Sequence, residues 1–257
     1  MKLPKAFSLM VLVLLFPCAT VAAQREDLLQ PRSYHNRISE TLLYRLFVPK
    51  NYDRHKKYPL VLYLHGGGGS GTDNLKQIEG GNGYLIDLFT GPETQKEHAC
   101  FVVAPQSPRQ EGWIEYDSIT PTRQLRLVFE LIVELQKTYP IDGRSLYVAG
   151  QSMGGFGTFA MVAEHPHLFA AAVSVCGGGD ETKANRFTHT LVWAFHGERD
   201  AAVNVERSRK MTAAINNAGG RARYTEYAGE GHLIWSKVVK EPELLRWLFS
   251  QRQPHSY

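Results

Sequence analysis

Short apolar runs, separated by polar segments rich in glycine and proline, recur along the chain. Continuous apolar runs of about 4 to 8 residues are typical of strands that lie in a parallel sheet and are buried on both faces. The pattern therefore predicts a series of strands, which lie at residues 41–48, 59–65, 101–104, 145–149, 171–175, 191–195 and 223–227.

Between these runs, apolar residues recur at the period of a helix. From Leu125 to Leu135 they fall on one face, which predicts a helix that begins at Pro121, with Thr120 as its cap, and ends before Pro140. Two further helices are expected at residues 205–217 and 241–251. The alternation of strands and helices predicts an α/β fold with a doubly wound, mostly parallel sheet and helices on both faces.

The composition is that of an ordinary globular protein. Of the 257 residues, 43% are hydrophobic and 21% are charged, which excludes disordered, collagen-like and coiled-coil chains. No repeat or long linker interrupts residues 24–257, and large α/β folds often form one domain of about 250 residues. We therefore expect a single domain over residues 24–257.

The first 23 residues have the pattern of a secretion signal. Lys2 and Lys5 precede the apolar residues 9–16, and Val21-Ala22-Ala23 offers a cleavage site of small residues. The apolar run is shorter than the roughly 20 residues that span a bilayer. We therefore expect a secreted or periplasmic protein that has no stable membrane insertion once the signal peptide (1–23) is removed.

The net charge narrows the set of expected binding partners. Without Lys2 and Lys5 the formal net charge falls from +4 to +2, and the sequence has no Lys/Arg run, so nucleic acid is not an expected partner.

Cys100 and Cys176 lie in apolar runs and are expected to be buried. A disulfide between them and a lipid on Cys18 both stay open alternatives.

One predicted strand leads directly into a turn that carries a serine. Residues 145–149 are followed by Gly150-Gln151-Ser152-Met153-Gly154, and the next residues have the pattern of a helix. Gly-x-Ser-x-Gly between a strand and a helix is typical of a nucleophile elbow, in which the glycines allow a tight turn and the serine is exposed. We therefore expect Ser152 to be a catalytic nucleophile.

An acid and a histidine follow the serine in the chain order that an elbow of this kind requires. His232 comes after the last predicted strand, and Asp200 comes after the strand before it. In this interpretation His232 is the general base, and Asp200 fixes its tautomer and stabilises its protonated form. Asp180 and Glu198 are alternative acids, but the position of Asp200 after the penultimate strand favours it.

A glycine-rich loop, His65 to Gly71, follows an earlier strand. It lacks the Lys-Ser/Thr of a phosphate-binding loop and the spacing of a dinucleotide site, so we expect no cofactor and no metal. Upstream of an elbow, such a loop is typical of an oxyanion hole, in which backbone N–H groups bind the negative charge of a tetrahedral intermediate. The expected donors are the N–H groups of Gly67 and Met153.

Further motifs accompany the elbow: Tyr44-Arg45-Leu46-Phe47-Val48-Pro49, Leu64 to Gly69, Ala104-Pro105-Gln106, Gly150 to Gly155, His196-Gly197 with Asp200 and Val203, and Gly231-His232 with Trp235. Together they resemble the α/β-hydrolase fold over nearly all of residues 24–257. More narrowly, the chain is similar to the bacterial group of predicted peptidases and phospholipase/carboxylesterase-like esterases, relatives of feruloyl esterases and polyhydroxybutyrate depolymerases. The resemblance implies Ser152, Asp200 and His232 as a catalytic triad.

The expected substrate is a small-molecule or carbohydrate-linked carboxylic ester. Residues 177–190 are too few for the long helical lid that lipases of this fold carry between the same strands, so no large lid is expected. Trp113 and Trp235 are candidate walls of the substrate pocket, with simple packing as the alternative for both.

Two other functions remain as alternatives to a carboxylesterase. A serine peptidase of the same fold is disfavoured because the sequence has no additional gating domain. A non-catalytic binding protein on this scaffold is disfavoured because all three triad residues are present. The oligomeric state stays open.

Overall fold

Ten strands lie within residues 25–254, the part of the chain that this computed structural model describes. Their bounds are β1 Gln30–His35, β2 Thr41–Phe47, β3 Tyr58–Leu64, β4 Phe101–Gln106, β5 Ile114–Glu115, β6 Thr120–Pro121, β7 Ile141–Gln151, β8 Ala171–Val175, β9 Leu191–Gly197 and β10 Ala222–Tyr227. The predicted signal peptide and Cys18 lie outside the described residues.

Eight of these strands form one sheet in the order β1-β2-β4-β3-β7-β8-β9-β10. The pairs β1–β2 and β2–β4 are antiparallel. The remaining neighbours, from β4 to β10 in this order, are parallel. The prediction of a mostly parallel sheet is therefore confirmed. The apolar pattern does not predict β1, because this edge strand is polar and mostly exposed.

Besides the helical residues 25–28, the same part of the chain contains these α-helices: α1 Gly83–Thr90, α2 Pro92–Glu97, α3 Arg123–Thr138, α4 Met153–Glu164, α5 Glu206–Asn217, α6 Trp235–Val238 and α7 Leu244–Phe249. The predicted start of α3 is wrong, because Thr120 and Pro121 form β6 and pair with β5. Thr122 caps the helix instead and accepts a hydrogen bond from the Leu125 N–H at 3.4 Å. The last helix is also shorter than its predicted range of 241–251.

Helices cover both faces of the sheet, which confirms the doubly wound arrangement. The buried apolar residues of α3, α4 and α5 pack against one face, and those of α1, α6 and α7 pack against the other. The connection between β8 and β9 contains a 3₁₀ helix, Glu181–Phe187, in agreement with the prediction that no large lid occupies it.

Cys100 and Cys176 are both buried and both free, so the disulfide alternative is excluded. None of the helices that the structure describes is long and apolar enough to cross a membrane. Because β3, β7, β8, β9 and β10 run in the same direction, the loops after them meet at one edge of the sheet. This edge carries the candidate site.

Candidate active site

Ser152 lies at the turn between β7 and α4 with a backbone conformation that a residue with a side chain rarely adopts. Its φ is 53° and its ψ is −118°. The Ser152 N–H donates to the carbonyl oxygen of Val175 in β8 at 2.7 Å, which holds the turn against the sheet. A Cβ at Gly154 would overlap the carbonyl oxygen of Leu64, and one at Gly150 would overlap the carbonyl oxygen of Gly154. These two positions therefore require glycine.

A continuous chain of hydrogen bonds joins Ser152, His232 and Asp200. The Nε2 atom of His232 lies 2.9 Å from Ser152 Oγ, and its Nδ1 atom lies 2.6 Å from Asp200 Oδ2. The His232 side chain is 20% exposed, whereas the Asp200 carboxylate is completely buried. The structure therefore brings together the three side chains that the sequence predicts to form a triad.

The loop after β9 surrounds the Asp200 carboxylate with hydrogen-bond donors. Its Oδ1 atom accepts hydrogen bonds from the N–H groups of Ala202 at 2.9 Å and Val203 at 2.8 Å. Burial acts to raise the pKa of Asp200, but the hydrogen bonds from His232, Val203 and Ala202 outweigh it and lower the pKa. The buried carboxylate is therefore ionised at neutral pH and holds the His232 Nδ1–H toward itself.

The two alternative acids have other partners. Asp180 caps the 3₁₀ helix after β8, where its Oδ1 atom accepts hydrogen bonds from the Thr182 N–H at 3.0 Å and the Thr182 hydroxyl at 2.6 Å. Glu198 accepts a hydrogen bond from the Gly229 N–H at 2.7 Å. Both carboxylates therefore stabilise loops, and the acid in contact with His232 is Asp200.

The glycine-rich loop is fixed beside the serine by a buried side chain from the segment before α1. Asn82 Oδ1 accepts hydrogen bonds from the Gly66 N–H at 2.9 Å and from Gln151 Nε2 at 3.4 Å. Among the residues that the structure describes, the N–H groups of Gly67 and Met153 have no acceptor. These are the two amides that the sequence predicts as oxyanion donors, and they are available to a ligand.

His65 holds the other side of the glycine-rich loop. Its Nδ1–H donates to the Gly66 carbonyl oxygen at 2.8 Å, and its Nε2 atom accepts from the Ser107 N–H at 3.0 Å. Burial lowers the pKa of His65 to about 4. The ring is therefore neutral, and its role is to shape the loop that carries Gly67.

Trp113 does not form a wall of the substrate pocket, and the expectation that it does is wrong. Its side chain is fully buried, its Nε1–H donates to the His65 carbonyl oxygen at 3.0 Å, and its ring lies 4.8 Å from the His65 ring. Trp113 therefore packs beneath the loop, as the packing alternative predicts.

Trp235 lies at the site, but mainly against the histidine. Its ring meets the His232 ring nearly edge to face, with centroids 5.2 Å apart. Only 6% of Trp235 is exposed. The Trp235 ring therefore supports His232, and a contact of Trp235 with substrate stays a prediction.

Sequence reasoning missed Asn82 and underestimated Gln151 and His196. No motif marks Asn82, whose contact with Gly66 depends on the path of the chain between β3 and α1. Gln151 occupies the unspecified position of the elbow motif. The dipeptide His196-Gly197 next to Asp200 is the one sequence signal for a role of His196.

One cluster of side chains has the composition of a metal site. Ligand atoms of Cys176, His196 and Asp200 lie within 4.8 Å of one another. The carboxylate and the imidazole nevertheless already use these atoms in hydrogen bonds to His232 and Val203. The contacts of this cluster therefore favour a role within the hydrogen-bond chain over metal binding.

The parallel sheet, the elbow and the hydrogen-bonded chain from Ser152 to Asp200 define the α/β-hydrolase class of fold. The chain matches the model of the Esterase family, described as "Putative esterase", over residues 36–212. It therefore belongs to this family, and the predicted relation to esterases of the α/β-hydrolase fold is confirmed.

Curated relatives include proteins named "Probable feruloyl esterase C". The protein from Aspergillus terreus is 31% identical over 169 residues, which cover 65% of this chain and 58% of that protein. The protein from Aspergillus flavus is 31% identical over 136 residues, which cover 53% of this chain and 46% of that protein. The matched part of the chain thus spans about half the length of these relatives.

Solved structures of esterases superpose on most of the chain. A thermostable esterase superposes with a TM-score of 0.84 at 37% identity, over 88% of this chain and 64% of that chain. A ferulic acid esterase from Anaeromyces mucronatus superposes with a TM-score of 0.60 at 16% identity, over 82% of this chain and 88% of that chain. The second likeness supports the fold alone.

Proposed function

We propose that the protein is a serine hydrolase that cleaves carboxylic esters through an acyl-enzyme on Ser152. The observation that carries this proposal is the unbroken hydrogen-bond chain from Ser152 Oγ through His232 to the buried Asp200 carboxylate. Membership of the Esterase family supports an ester as the substrate.

The first half of the reaction forms the acyl-enzyme. His232 Nε2 takes the proton of the Ser152 hydroxyl while Oγ attacks the carbonyl carbon of the ester. The negative charge that develops on the carbonyl oxygen is bound by the N–H groups of Gly67 and Met153. The intermediate then collapses, the bond to the alcohol oxygen breaks, and His232 returns the proton to the leaving alcohol.

The second half releases the acid. A water molecule gives a proton to His232 Nε2 and attacks the acyl carbon, which forms a second tetrahedral intermediate in the same oxyanion site. Collapse of this intermediate breaks the bond to Ser152 Oγ, and His232 returns the proton to the serine. Asp200 stays ionised throughout and stabilises the imidazolium that forms in each half.

The substrate class is a small-molecule or carbohydrate-linked ester. One exposed aromatic ring supports this proposal: Tyr116 is 56% exposed, and its ring centroid lies 5.7 Å from that of the buried Phe156, one helical turn after Ser152. An exposed ring of this kind can pack against a planar aromatic acyl group. The names of the fungal relatives point to esters of that kind.

The cellular location belongs to the same proposal. The pattern of residues 1–23 supports export, and a single hydrolase domain would then act outside the cytoplasm as a secreted or periplasmic enzyme. The expected partner is the ester substrate itself, without nucleic acid.

The nucleophile is tested by labelling with a fluorophosphonate probe and by ester hydrolysis. We expect the wild-type protein to be labelled and Ser152→Ala to be unlabelled, with kcat reduced by about a million-fold. Ser118→Ala is the matched control, because this exposed serine bonds to Thr120 and has no histidine beside it. A folded Ser152→Ala protein that retains a tenth of the activity would exclude Ser152 as the nucleophile.

The substrate class is tested with acyl groups presented as esters and as amides. Methyl ferulate, an acetylated sugar and a series of p-nitrophenyl esters are compared with the matching p-nitroanilides. We expect turnover of the esters and a preference for an aromatic acyl group. Faster cleavage of the anilides would favour the peptidase alternative.

A further inference from the structure

A second histidine lies behind the acid of the candidate triad. His196, near the end of β9, is fully buried, and its Nε2 atom lies 3.2 Å from Asp200 Oδ2. This is the same carboxylate oxygen that accepts the hydrogen bond from His232 Nδ1 at 2.6 Å. One oxygen of Asp200 therefore faces two imidazole rings.

The surroundings of His196 determine where its proton lies. Its Nε2 atom faces two acceptors, the Val203 carbonyl oxygen at 3.0 Å and the Asp200 carboxylate. An unprotonated nitrogen would repel both, so Nε2 carries a hydrogen. Nδ1 lies 2.7 Å from the Ser208 hydroxyl oxygen, which also lies 3.0 Å from the Gly177 carbonyl oxygen. With the ring proton on Nε2, the single hydroxyl hydrogen of Ser208 points to Nδ1.

Burial, the largest influence, lowers the pKa of His196 despite the nearby carboxylate. The ring is therefore neutral at neutral pH, with its single proton on Nε2. In this state Ser208, from α5, fixes the ring on one side and the ring donates toward Asp200 on the other. The network connects α5 to the acid of the site.

Together these contacts give the carboxylate a complete set of donors. The N–H groups of Ala202 and Val203 bond to Oδ1, and His232 bonds to Oδ2. The Nε2–H of His196, which bonds to the Val203 carbonyl oxygen, lies 3.2 Å from the same Oδ2. Loss of one donor would allow the carboxylate to rotate about its bond and would concentrate more negative charge on the oxygen that faces His232.

We propose that His196 is a positioning residue that fixes the orientation and the charge distribution of Asp200 through its Nε2–H. The proposal rests on the function proposed above, because it assigns His196 a task within that triad.

Other ionisable groups face this histidine and enter any pH dependence. Cys176, in the loop after β8, is buried with a raised thiol pKa, so it stays neutral. Glu226 in β10 is beside His196 in the sheet register and is paired with Arg209 of α5 through two hydrogen bonds at 2.5 and 2.8 Å. Asp200 and His232 complete the set.

The kinetic test compares two replacements of His196. In His196→Leu the donor is absent, and in His196→Gln the side-chain amide can place an N–H near the position of Nε2. We expect His196→Leu to lower kcat by about ten- to a hundred-fold through misplacement of the triad, with little change in KM. We expect His196→Gln to recover most of this loss.

The pH profile separates positioning from general destabilisation. Because the freed carboxylate oxygen stabilises an imidazolium at His232 more strongly, the acid-side midpoint of kcat/KM moves to higher pH in His196→Leu, by at least about 0.3 pH unit. Thr212→Val is the matched control, since it removes a buried hydroxyl one turn further along α5 that bonds only to helix carbonyls. Its midpoint is expected to equal that of the wild type.

Two kinetic outcomes would overturn the proposal. One is a midpoint in His196→Leu that is unchanged or lower than that of the wild type. The other is a His196→Gln protein with no more activity than His196→Leu at equal thermal stability.

A measurement without activity distinguishes this proposal from the proposed function. In ¹⁵N-histidine-labelled Ser152→Ala protein at pH 7, NMR is expected to show His196 with its proton on Nε2. A His196 ring protonated only on Nδ1 overturns the positioning role, whatever the activity. A correctly protonated His196 in a protein whose Ser152 does not react with the fluorophosphonate would overturn the proposed function and leave the tautomer assignment standing.

Discussion

The same dipeptide, His-Gly, occurs directly after one parallel strand of the sheet and at the end of another, and the two histidines have different roles. His65 directly follows β3 and His196 lies near the end of β9, and both side chains are fully buried. Burial lowers the pKa of both, so both rings are neutral at neutral pH. They differ in the groups that surround them.

His65 has a backbone donor on Nε2 and a backbone acceptor on Nδ1, so its proton lies on Nδ1. His196 has acceptors around Nε2, one of them the Asp200 carboxylate, so its proton lies on the other nitrogen. One ring shapes the loop that carries Gly67, and the other holds the acid. The tautomer of a buried histidine is therefore determined by its neighbours at the strand end.

The largest effect is expected from removal of the Asp200 carboxylate, which lies in the loop after β9 and faces His196 but not His65. We expect Asp200→Asn to lower kcat by about ten thousand-fold, because an amide no longer holds His232 in the correct tautomer or stabilises its protonated form. Steady-state ester hydrolysis measures this loss. Asp180→Asn is the matched control and should change kcat little, since asparagine caps a helix about as well as aspartate. Reversed effects would assign the acid to Asp180.

The second largest effect is expected in the loop after β3, which His65 shapes, when the backbone N–H of Gly67 is removed. We expect Gly67→Pro, which lacks the N–H, to lower kcat by a hundred- to a thousand-fold, or about 2.7 to 4 kcal/mol of transition-state stabilisation. The substitution fits the local backbone, because Gly66 is extended with φ −75° and ψ 175°, and Gly67 begins a 3₁₀ helix with open space around a Cβ.

Gly67→Ala is the comparison for this donor, because it adds a Cβ in the same open space and keeps the N–H. We expect Gly67→Ala to be at least about tenfold more active than Gly67→Pro. Equal activity of the two variants would place the oxyanion donor elsewhere in the loop.

The neutral state of His65 makes the fold sensitive to acid. Its pKa is about 4 in the folded protein and about 6.5 in an unfolded chain, so between these values the unfolded state binds more protons. The free energy of unfolding therefore falls as the pH drops from 6.5 to 4, by roughly 3 kcal/mol from this residue.

Urea unfolding between pH 4 and 7 measures this dependence. In His65→Gln we expect a shallower slope that is not abolished, because burial lowers the pKa of His196 as well. Asp200 acts in a lower window: its pKa is depressed, so its contribution is lost only as the pH falls below the unfolded value near 3.8. A slope in His65→Gln equal to that of the wild type would contradict the assigned state of His65.

The smallest expected effect is a loss of stability on substitution of Trp113, whose Nε1–H donates to the His65 carbonyl oxygen. Trp113→Phe removes the N–H that bonds the His65 carbonyl and leaves a small void, so we expect a loss of about 1 to 3 kcal/mol in the free energy of unfolding. Because Trp113 is fully buried, KM for a small ester should not change. A large rise in KM without loss of stability would restore Trp113 to the substrate pocket.

Much of the site could be predicted from the sequence because the relevant signals are local. The apolar runs indicate the central strands, and a strand, a glycine-flanked serine and a helix in immediate succession indicate the elbow at Ser152. The chain order then indicates His232 and Asp200. A run of a few residues is enough for each of these inferences, since backbone conformation depends first on neighbouring residues.

Other features were decided by contacts between residues that are distant in the chain. Ser152 and His232 are 80 positions apart, and Trp113 and the His65 carbonyl are 48 apart. No local sequence pattern predicts that Trp113 is buried. None predicts that the polar strand β1 pairs with β2 at the edge of the sheet. The polarity of the groups around each ring is likewise set only when strands and loops pack together. The sequence by itself therefore determined which residues are the candidates for the chemistry, and the tertiary structure decided their partners, because hydrogen bonding and burial depend on proximity in space.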